Sequence, residues 1–167
     1  MRKFDIRVFG LAQIIEGAHF RGYFYKEGYI RTSCYKYDCS DLSDAEIHLT
    51  NDAIQQKCED YAKYEPGNKI SFKDFATYLK NYRKVDFDEI ILPQMRDIVA
   101  QSLEAFWLRI QEINGFNPGN RSNIINQFEM FGYDFMIDED LNVILIEVNT
   151  NPCLDTTPCP LLNRLIT

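Results

Sequence analysis

Asp134, Glu147 and Asn149 are the first residues in the sequence whose types and spacing suggest chemistry. The pattern around them predicts two strands joined by an acidic turn, with Asn149 two residues beyond Glu147 on the same face. Mg2+ binds one or two carboxylates together with other oxygen ligands and substrate phosphates. The alternative is that both carboxylates form ion pairs with Arg or Lys across the sheet. Because Glu147 stands in a strand that is apolar on both faces, where an unused charge is costly, the pattern favours a metal site.

Lys3, Asp5, Arg7 and Arg31 form a second, mainly cationic group. The first three alternate along a predicted strand, so their side chains point to one face. Arginine offers planar pairs of donors that match phosphate and carboxylate groups. Arg7 and Arg31 are therefore the candidate catalytic residues, which would bind a transferring phosphoryl group or an acyl phosphate. The alternative is a solvated strand face whose charges pair with one another.

His48, Thr50 and Asn51 form a third group of polar side chains. They come directly before a predicted helix that begins at residue 52, and the N-terminus of a helix attracts anions. The group is therefore a candidate for binding the anionic part of a ligand. The alternative for His48, taken alone, is a structural role.

The elements that would position these groups follow the order strands, helices, strands, which is typical of an α+β fold. They are the strand 4–11, the helices 52–64, 71–79 and 87–113, a polar turn at 114–120, and the hairpin strands 128–137 and 141–148. Aromatic segments on either side of residues 26–28 predict a turn there, so the first 33 residues form an antiparallel meander. The second hairpin strand is predicted to be central in the sheet, because both its faces are apolar.

The composition limits the classes of partner. The chain has 167 residues, 46% of them hydrophobic, which predicts one globular domain over residues 1–167. The net charge of −7 argues against general nucleic-acid binding. No apolar run reaches the length of a membrane helix, so we expect a cytoplasmic location and no membrane partner. The five cysteines include no CxxC pair, so the sequence predicts neither a disulfide framework nor a thiolate zinc site.

Five segments, in their order along the chain, resemble the tubulin tyrosine ligase and tubulin tyrosine ligase-like family. They are KFDIR (3–7), YIRTS (29–33), HLTN (48–51), GYDFMID (132–138) and IEVNTNP (146–152). These segments contain every candidate site residue named above, and they extend over most of the chain. One such segment alone would be a weak signal, whereas five in order are a strong one.

The resemblance implies an ATP-grasp fold and the ATP-dependent ligation of an amino acid to a peptide carboxylate through an acyl phosphate. The acceptor would be the acidic C-terminal tail of tubulin, at microtubules or cilia, and the amino acid would be tyrosine, glutamate or glycine. Asp134, Glu147 and Asn149 would hold Mg2+. The residues on the nucleotide and acyl-phosphate side would be Lys3, Asp5, Arg7, Arg31, His48, Thr50 and Asn51. The cationic strand and the acidic hairpin would then form two walls of one cleft.

By the same resemblance, the chain corresponds to the C-terminal part of an ATP-grasp ligase. The N-terminal half of such a ligase supplies further lysines and the adenine pocket, so we expect activity to require that half. The alternative is a non-catalytic fragment that acts as a binding module for the tubulin tail.

Overall fold

The computed structural model describes residues 1–15, 19–113, 126–156 and 159–166, which form one antiparallel sheet with helices packed against it. The strands are β1 (Arg2–Ile15), β2 (His19–Lys36), β3 (Lys69–Ser71), β4 (Gln127–Ile137) and β5 (Val143–Thr150). Their order across the sheet is β3-β2-β1-β4-β5, and every neighbouring pair is antiparallel. The α+β class that the sequence predicts is therefore confirmed.

The helices lie mostly between β2 and β4 along the chain. They are α1 (Ala45–His48), α2 (Asp52–Gln55), α3 (Phe72–Tyr78), α4 (Leu92–Ile113) and α5 (Pro160–Ile166), with a 3-10 turn at Pro66–Asn68 and π-helical turns at Leu79–Arg83 and Phe87–Ile91. Helix α3 begins where the sequence predicts, because the Ser71 hydroxyl accepts a hydrogen bond from the Asp74 amide at 3.1 Å. Within the described ranges, no helix combines the length and the apolar character that a membrane crossing requires.

The two faces of the sheet have different roles because side chains alternate along each strand. The even-numbered residues of β1 point into the core, where α4 covers them. This core contains Ile6, Val8, Ile30, Met95, Val99, Leu103, Tyr133 and Phe135. The odd-numbered residues of β1 point to the opposite face, which we call the site face. On it, α5 packs its buried residues Leu162 and Leu165 near Phe9 and Tyr29.

The predicted turn at residues 26–28 is wrong. Strand β2 runs without a break from His19 to Lys36, so the predicted meander is one long hairpin of β1 and β2. The pairing register shifts between Val8 and Gly10 of β1, which shows that the extra residues of β2 form a bulge at this point. Gly28 is required there for another reason, since a side chain at this position would collide with the carbonyl oxygen of Arg7.

The predicted helix over residues 52–64 is too long. Helix α2 ends at Gln55, whose buried side chain donates a hydrogen bond to the Glu46 carbonyl at 3.0 Å and accepts one from the Cys34 amide at 2.6 Å. Ala62 has a φ of 61°, which a continuing α-helix does not allow. The chain therefore follows turns up to Pro66. The predicted polar turn at 114–120 lies outside the described residues.

The predicted central position of the last hairpin strand is also wrong. The hairpin itself is confirmed, with the Asp138 carboxylate accepting a hydrogen bond from the Asn142 amide at 2.8 Å in the turn. Strand β5 is at the edge of the sheet, and its apolar residues Ile144, Ile146 and Val148 are exposed. Apolar residues on both faces of a strand indicate burial only if both faces are covered.

Candidate functional site

One row of side chains crosses the site face through all five strands. The strand pairings place Ser71, Tyr29, Arg7, Asp134 and Glu147 next to one another, from β3 at one edge to β5 at the other. Residues that are directly opposite in an antiparallel pair point to the same side of the sheet. The candidate arginine and both candidate carboxylates therefore lie side by side, although β1 and β4 are far apart in the sequence.

Asp5, Arg7, Arg31 and Asp134 form a buried ion network at the centre of this face. Arg7 binds both carboxylate oxygens of Asp134, through Nε and, at 2.9 Å, through Nη2. The Nη2 atom of Arg31 lies 2.8 Å from Oδ2 of Asp134, and Nε of Arg31 donates hydrogen bonds to Asp5 at 3.0 Å. The four residues are only 2–8% exposed. Two anions and two cations thus balance one another inside the protein.

The pKa shifts of Asp134 and Arg31 favour the charged form of both groups. Burial alone would raise the pKa of the Asp134 carboxyl, but the hydrogen bonds from Arg7 and the charges of both arginines outweigh burial and lower it. Burial alone would lower the pKa of the Arg31 guanidinium, but its bonds to Asp5 and its attraction to Asp5 and Asp134 raise it. Arg7 and Arg31 are therefore charged groups that carboxylate partners hold in fixed positions.

Thr50 is the member of the third group that joins this network, and its hydroxyl donates a hydrogen bond to Oδ1 of Asp5 at 2.7 Å. His48 lies apart from the network. Its Nε2 atom lies 2.8 Å from the Asp41 carbonyl oxygen, and its ring packs edge-on against Tyr37. These contacts match the structural alternative for His48. The Asn51 side chain is exposed and makes no capping hydrogen bond to α2.

Lys3 lies at the margin of the network. Its ammonium nitrogen is 3.2 Å from the Met136 sulfur and 3.4 Å from the Phe4 carbonyl oxygen. Desolvation lowers the pKa of Lys3, and the charge of Arg31 lowers it further while Asp5 opposes the change. A half-buried ammonium group with weak protein acceptors is suited to a ligand that brings its own negative charge.

Glu147 and Asn149 reach the site face because of a bulge in β5. Phe135 pairs with Leu145 and Asp134 pairs with Glu147, so Ile146 is an extra residue between the two pairs. Leu145 packs against the core, whereas Glu147, two residues later, points to the other face. Without the bulge, both would point into the core. Bulges often redirect side chains beside functional sites in this way.

The three predicted metal ligands come together. The Asn149 amide nitrogen lies 3.1 Å from Oε1 of Glu147 and 3.5 Å from Oδ2 of Asp134. The ion-pair alternative describes Asp134, which both arginines bind, but Glu147 is exposed and has Asn149 as its neighbour. The expectation that Glu147 is buried at a cost is therefore wrong. The cationic strand and the acidic hairpin are also adjacent strands of one sheet, and they do not form two walls of a cleft.

The donor set fits Mg2+, which needs one or two carboxylates and completes its coordination with phosphates and water. Asp134, Glu147 and Asn149 offer two carboxylates and one amide. Within the described ranges, no group of three or more His, Cys, Asp and Glu side chains is placed to hold a metal ion.

Sequence reasoning missed one buried ion pair beside the site. Lys69 on β3 is opposite Arg31 on β2, and its ammonium group binds the Asp52 carboxylate at 2.6 Å and 2.8 Å. Strand β3 has only three residues, so no alternation could reveal it. The one available signal was the lysine directly after the chain-turning segment Pro66–Asn68.

Comparison with known proteins connects this site to a family. A model of the tubulin-tyrosine ligase family matches residues 1–167. The chain is 31% identical over 156 residues to the probable tubulin polyglutamylase TTLL9 of Bos taurus, which covers 92% of this chain and 30% of that protein. It is 34% identical over 169 residues to tubulin glycylase 3C of Tetrahymena thermophila, which covers 99% of this chain and 15% of that protein.

Tubulin glycylase 3B of Tetrahymena thermophila is similar too, at 32% identity over 155 residues that cover 92% of this chain and 12% of that protein. The chain thus spans less than a third of the length of each of these relatives. The family model, in contrast, covers the whole chain and confirms the resemblance that the five segments indicate. The chain therefore belongs to the tubulin-tyrosine ligase family.

Proposed function

We propose that this chain provides part of the active site of an ATP-dependent ligase that adds an amino acid to tubulin tails. The observation that carries the proposal is the position of Glu147 and Asn149 beside Asp134, on the same sheet face as Arg7 and Arg31. An acidic pair next to permanent cations suits a reaction that handles a metal ion and phosphate groups together. Membership of the tubulin-tyrosine ligase family supports the same reaction class.

In the proposed reaction, a carboxylate of the tail attacks the γ-phosphorus of ATP and ADP leaves. The amine of the incoming amino acid then attacks the acyl carbon, and inorganic phosphate leaves. Bound Mg2+ would neutralise charge on the phosphates. The chain would hold that ion through Asp134, Glu147 and Asn149, with Glu147 as its most accessible carboxylate.

The remaining site residues would bind and orient the anionic groups. Arg7 and Arg31 keep two positive charges beside the metal ligands, where they would attract the phosphoryl group. Lys3, Asp5 and Thr50 would line the nucleotide side around the same network, and His48 and Asn51 would lie further out. Because the arginines are already held by carboxylates, little reorganisation is needed when charge develops.

The names of the relatives favour glutamate or glycine as the amino acid that is added, since those relatives are a probable tubulin polyglutamylase and two tubulin glycylases. The acceptor would be the acidic tail of tubulin, and the enzyme would act in the cytoplasm at microtubules or cilia. An ATP-grasp arrangement is part of the proposal, in which this chain would form the C-terminal side of the nucleotide site and residues outside it would form the other side.

The experiment that tests the proposal is calorimetric titration of ATP, with and without Mg2+, into the protein. We expect Mg2+-dependent binding that Glu147→Gln weakens at least about tenfold, because the substitution removes the accessible carboxylate at constant volume. Glu139→Gln is the matched control, since Glu139 is an exposed acidic residue in the β4–β5 turn. Equal binding by wild type and Glu147→Gln would contradict the metal assignment.

A second measurement separates catalysis from simple binding. The same protein is incubated with ATP, a tubulin-tail peptide and labelled glutamate, glycine or tyrosine, and the product is followed by mass spectrometry. We expect one of the three amino acids to be attached, with formation of ADP and phosphate. Tail binding with no ATP-dependent product would instead support the non-catalytic binding module.

A further inference from the structure

Lys69 is a buried cation beside the site that the proposed reaction does not use. Its side chain is 1% exposed, whereas that of its partner Asp52 is 34% exposed. The ammonium nitrogen contacts both oxygens of Asp52 and, at 3.1 Å, the Gly67 carbonyl oxygen. An ammonium group has three protons, so these three acceptors satisfy it. No donor is left over for a ligand, which excludes direct binding of a phosphate by Lys69.

The burial of this lysine is costly, so the pair must be held by the fold around it. Removing a charged side chain from water costs several kcal/mol unless an opposite charge and hydrogen bonds compensate. Lys69 is on the three-residue strand β3 and is opposite Arg31 in the next strand. The lysine is therefore fixed to the sheet that carries the ion network, and its partner belongs to another part of the chain.

That other part is the segment that leads into α2. Asp52 is the first residue of α2 and directly follows Thr50 and Asn51, two of the predicted nucleotide-side residues. Helix α2 has only four residues, and its N-cap Asn51 makes no side-chain hydrogen bond. So short a helix has little stability of its own. Its position on the sheet must depend on tertiary contacts.

Two side-chain contacts tie residues 50–52 to the site face, and both are made by residues of one row across β1, β2 and β3. Thr50 binds Asp5 at 2.7 Å, and Asp52 binds Lys69 at 2.6 Å and 2.8 Å. Asp5 pairs with Arg31, and Arg31 pairs with Lys69. The segment is thus fixed at both ends. Loss of the Lys69 contact would leave the Thr50–Asp5 hydrogen bond before the helix and the Gln55–Cys34 hydrogen bond at its end, with nothing holding Asp52 between them.

We propose that Lys69 is a positioning residue that holds the Thr50–Asp52 segment in place for nucleotide binding. The role in nucleotide binding rests on the proposed function. The placement of the segment depends only on the contacts of Thr50 and Asp52. Lys69 acts through Asp52 and does not touch the ligand. Its removal leaves the Asp52 carboxylate unpaired and removes the contact between the first residue of α2 and β3.

The first test is hydrogen exchange in the protein carrying Lys69→Met, which removes the charge and keeps the length of the side chain. The amides of Ile54, Gln55 and Gln56, which bond to Asn51 and Asp52 carbonyls, are expected to exchange at least about tenfold faster, because they open locally. The amides of Ile6 and Val8 in the core strand should not change. Asp52→Asn alters the exposed partner and should give the same local pattern in a protein that stays folded.

Lys63→Met is the matched control, since Lys63 forms a similar ion pair with Asp60 that is exposed to solvent. We expect wild-type exchange throughout this variant. Unchanged exchange of the α2 amides in both Lys69→Met and Asp52→Asn would overturn the proposal. Equal acceleration of α2 and β1 amides would also overturn it, because that pattern indicates global destabilisation.

The second test measures the consequence for the nucleotide. In Lys69→Met the KM for ATP is expected to rise about tenfold while kcat stays within about twofold of wild type, the pattern of lost binding without lost chemistry. If Lys69 only stabilised the fold, its loss would reduce the amount of folded protein and thereby the apparent kcat, and KM would not change. That result would overturn the proposal. If the wild-type protein showed no ATP turnover, the proposed function would fail, while the exchange experiment would still decide the placement of the segment.

Discussion

Asp134→Asn should separate the two roles that Asp134 combines, as anchor of the buried ion network and as candidate metal ligand. The substitution preserves the shape of the side chain and removes its charge. Arg31 keeps Asp5 as a partner, whereas Arg7 loses the carboxylate that binds two of its nitrogens. One buried positive charge is then left without compensation.

The magnitude follows from the burial of the four groups, which are 2–8% exposed. Removing one partner of a buried ion pair destabilises a protein by about 3–5 kcal/mol. Because Arg31 remains paired and the amide oxygen of Asn can still accept one hydrogen bond, we expect the lower end, about 3 kcal/mol. For a chain of this size, such a change lowers Tm by roughly 6–12 °C.

Urea unfolding and thermal unfolding of the same protein preparation measure this effect, with Glu147→Gln as the comparison. Glu147 is exposed at the sheet edge, so its substitution should change the free energy of unfolding by less than about 0.5 kcal/mol. Both variants should lose Mg2+-dependent ATP binding. The reasoning is refuted if Asp134→Asn unfolds at the wild-type midpoint, or if Glu147→Gln is the more destabilised variant.

Three further changes test other parts of the site. Gly132→Ala should destabilise the protein by about 1–3 kcal/mol in urea unfolding, because the new Cβ would lie 2.9 Å from Pro152 and 3.2 Å from the Arg7 guanidinium; an unchanged midpoint would contradict this close approach. Acidification should destabilise wild type more than Asp134→Asn, because the lowered pKa of Asp134 gives stability that is complete above about pH 4 and is lost as the pH falls through the folded-state pKa; parallel pH curves would contradict the sign. Arg31→Lys should lower kcat for ligation by about 100-fold or more, because one ammonium cannot replace the fork that spans Asp5 and Asp134; wild-type turnover would return Arg31 to a purely structural role.

The sequence indicates which charged residues lie close together better than it indicates the arrangement of the strands. The sequence presents Asp134 as a metal ligand and Arg7 and Arg31 as donors for an anionic group, with ion pairing as the alternative, and the structure shows that Asp134 pairs with both arginines. The strand pairing that brings them together joins residues more than a hundred positions apart. Neither alternation nor spacing carries that information, so the sequence offers an ion pair across the sheet as an alternative but does not identify its partners.

The errors in the elements have separate physical causes. Around Gly28, a glycine that makes room for a neighbouring backbone resembles a glycine in a turn, because both are selected for a missing side chain. After Gln55, the side chain of a helix-forming residue binds backbone groups of other segments and replaces the helix that local propensity favours. For β5, apolar residues on both faces indicated a central strand, but the strand is at an edge with Ile144 and Ile146 exposed.

The extra residue Ile146 has a consequence for how the IEVN segment is interpreted and engineered. In the first half of β5 the inward side chains pack in the hydrophobic core, and in its second half the candidate ligands lie on the site face. A single extra residue separates the two halves. Spacing alone therefore says that Glu147 and Asn149 share a side, but not which side. Lengthening the β4–β5 turn would leave their orientation intact, whereas deleting Ile146 would keep every candidate ligand in the sequence and rotate two of them towards α4.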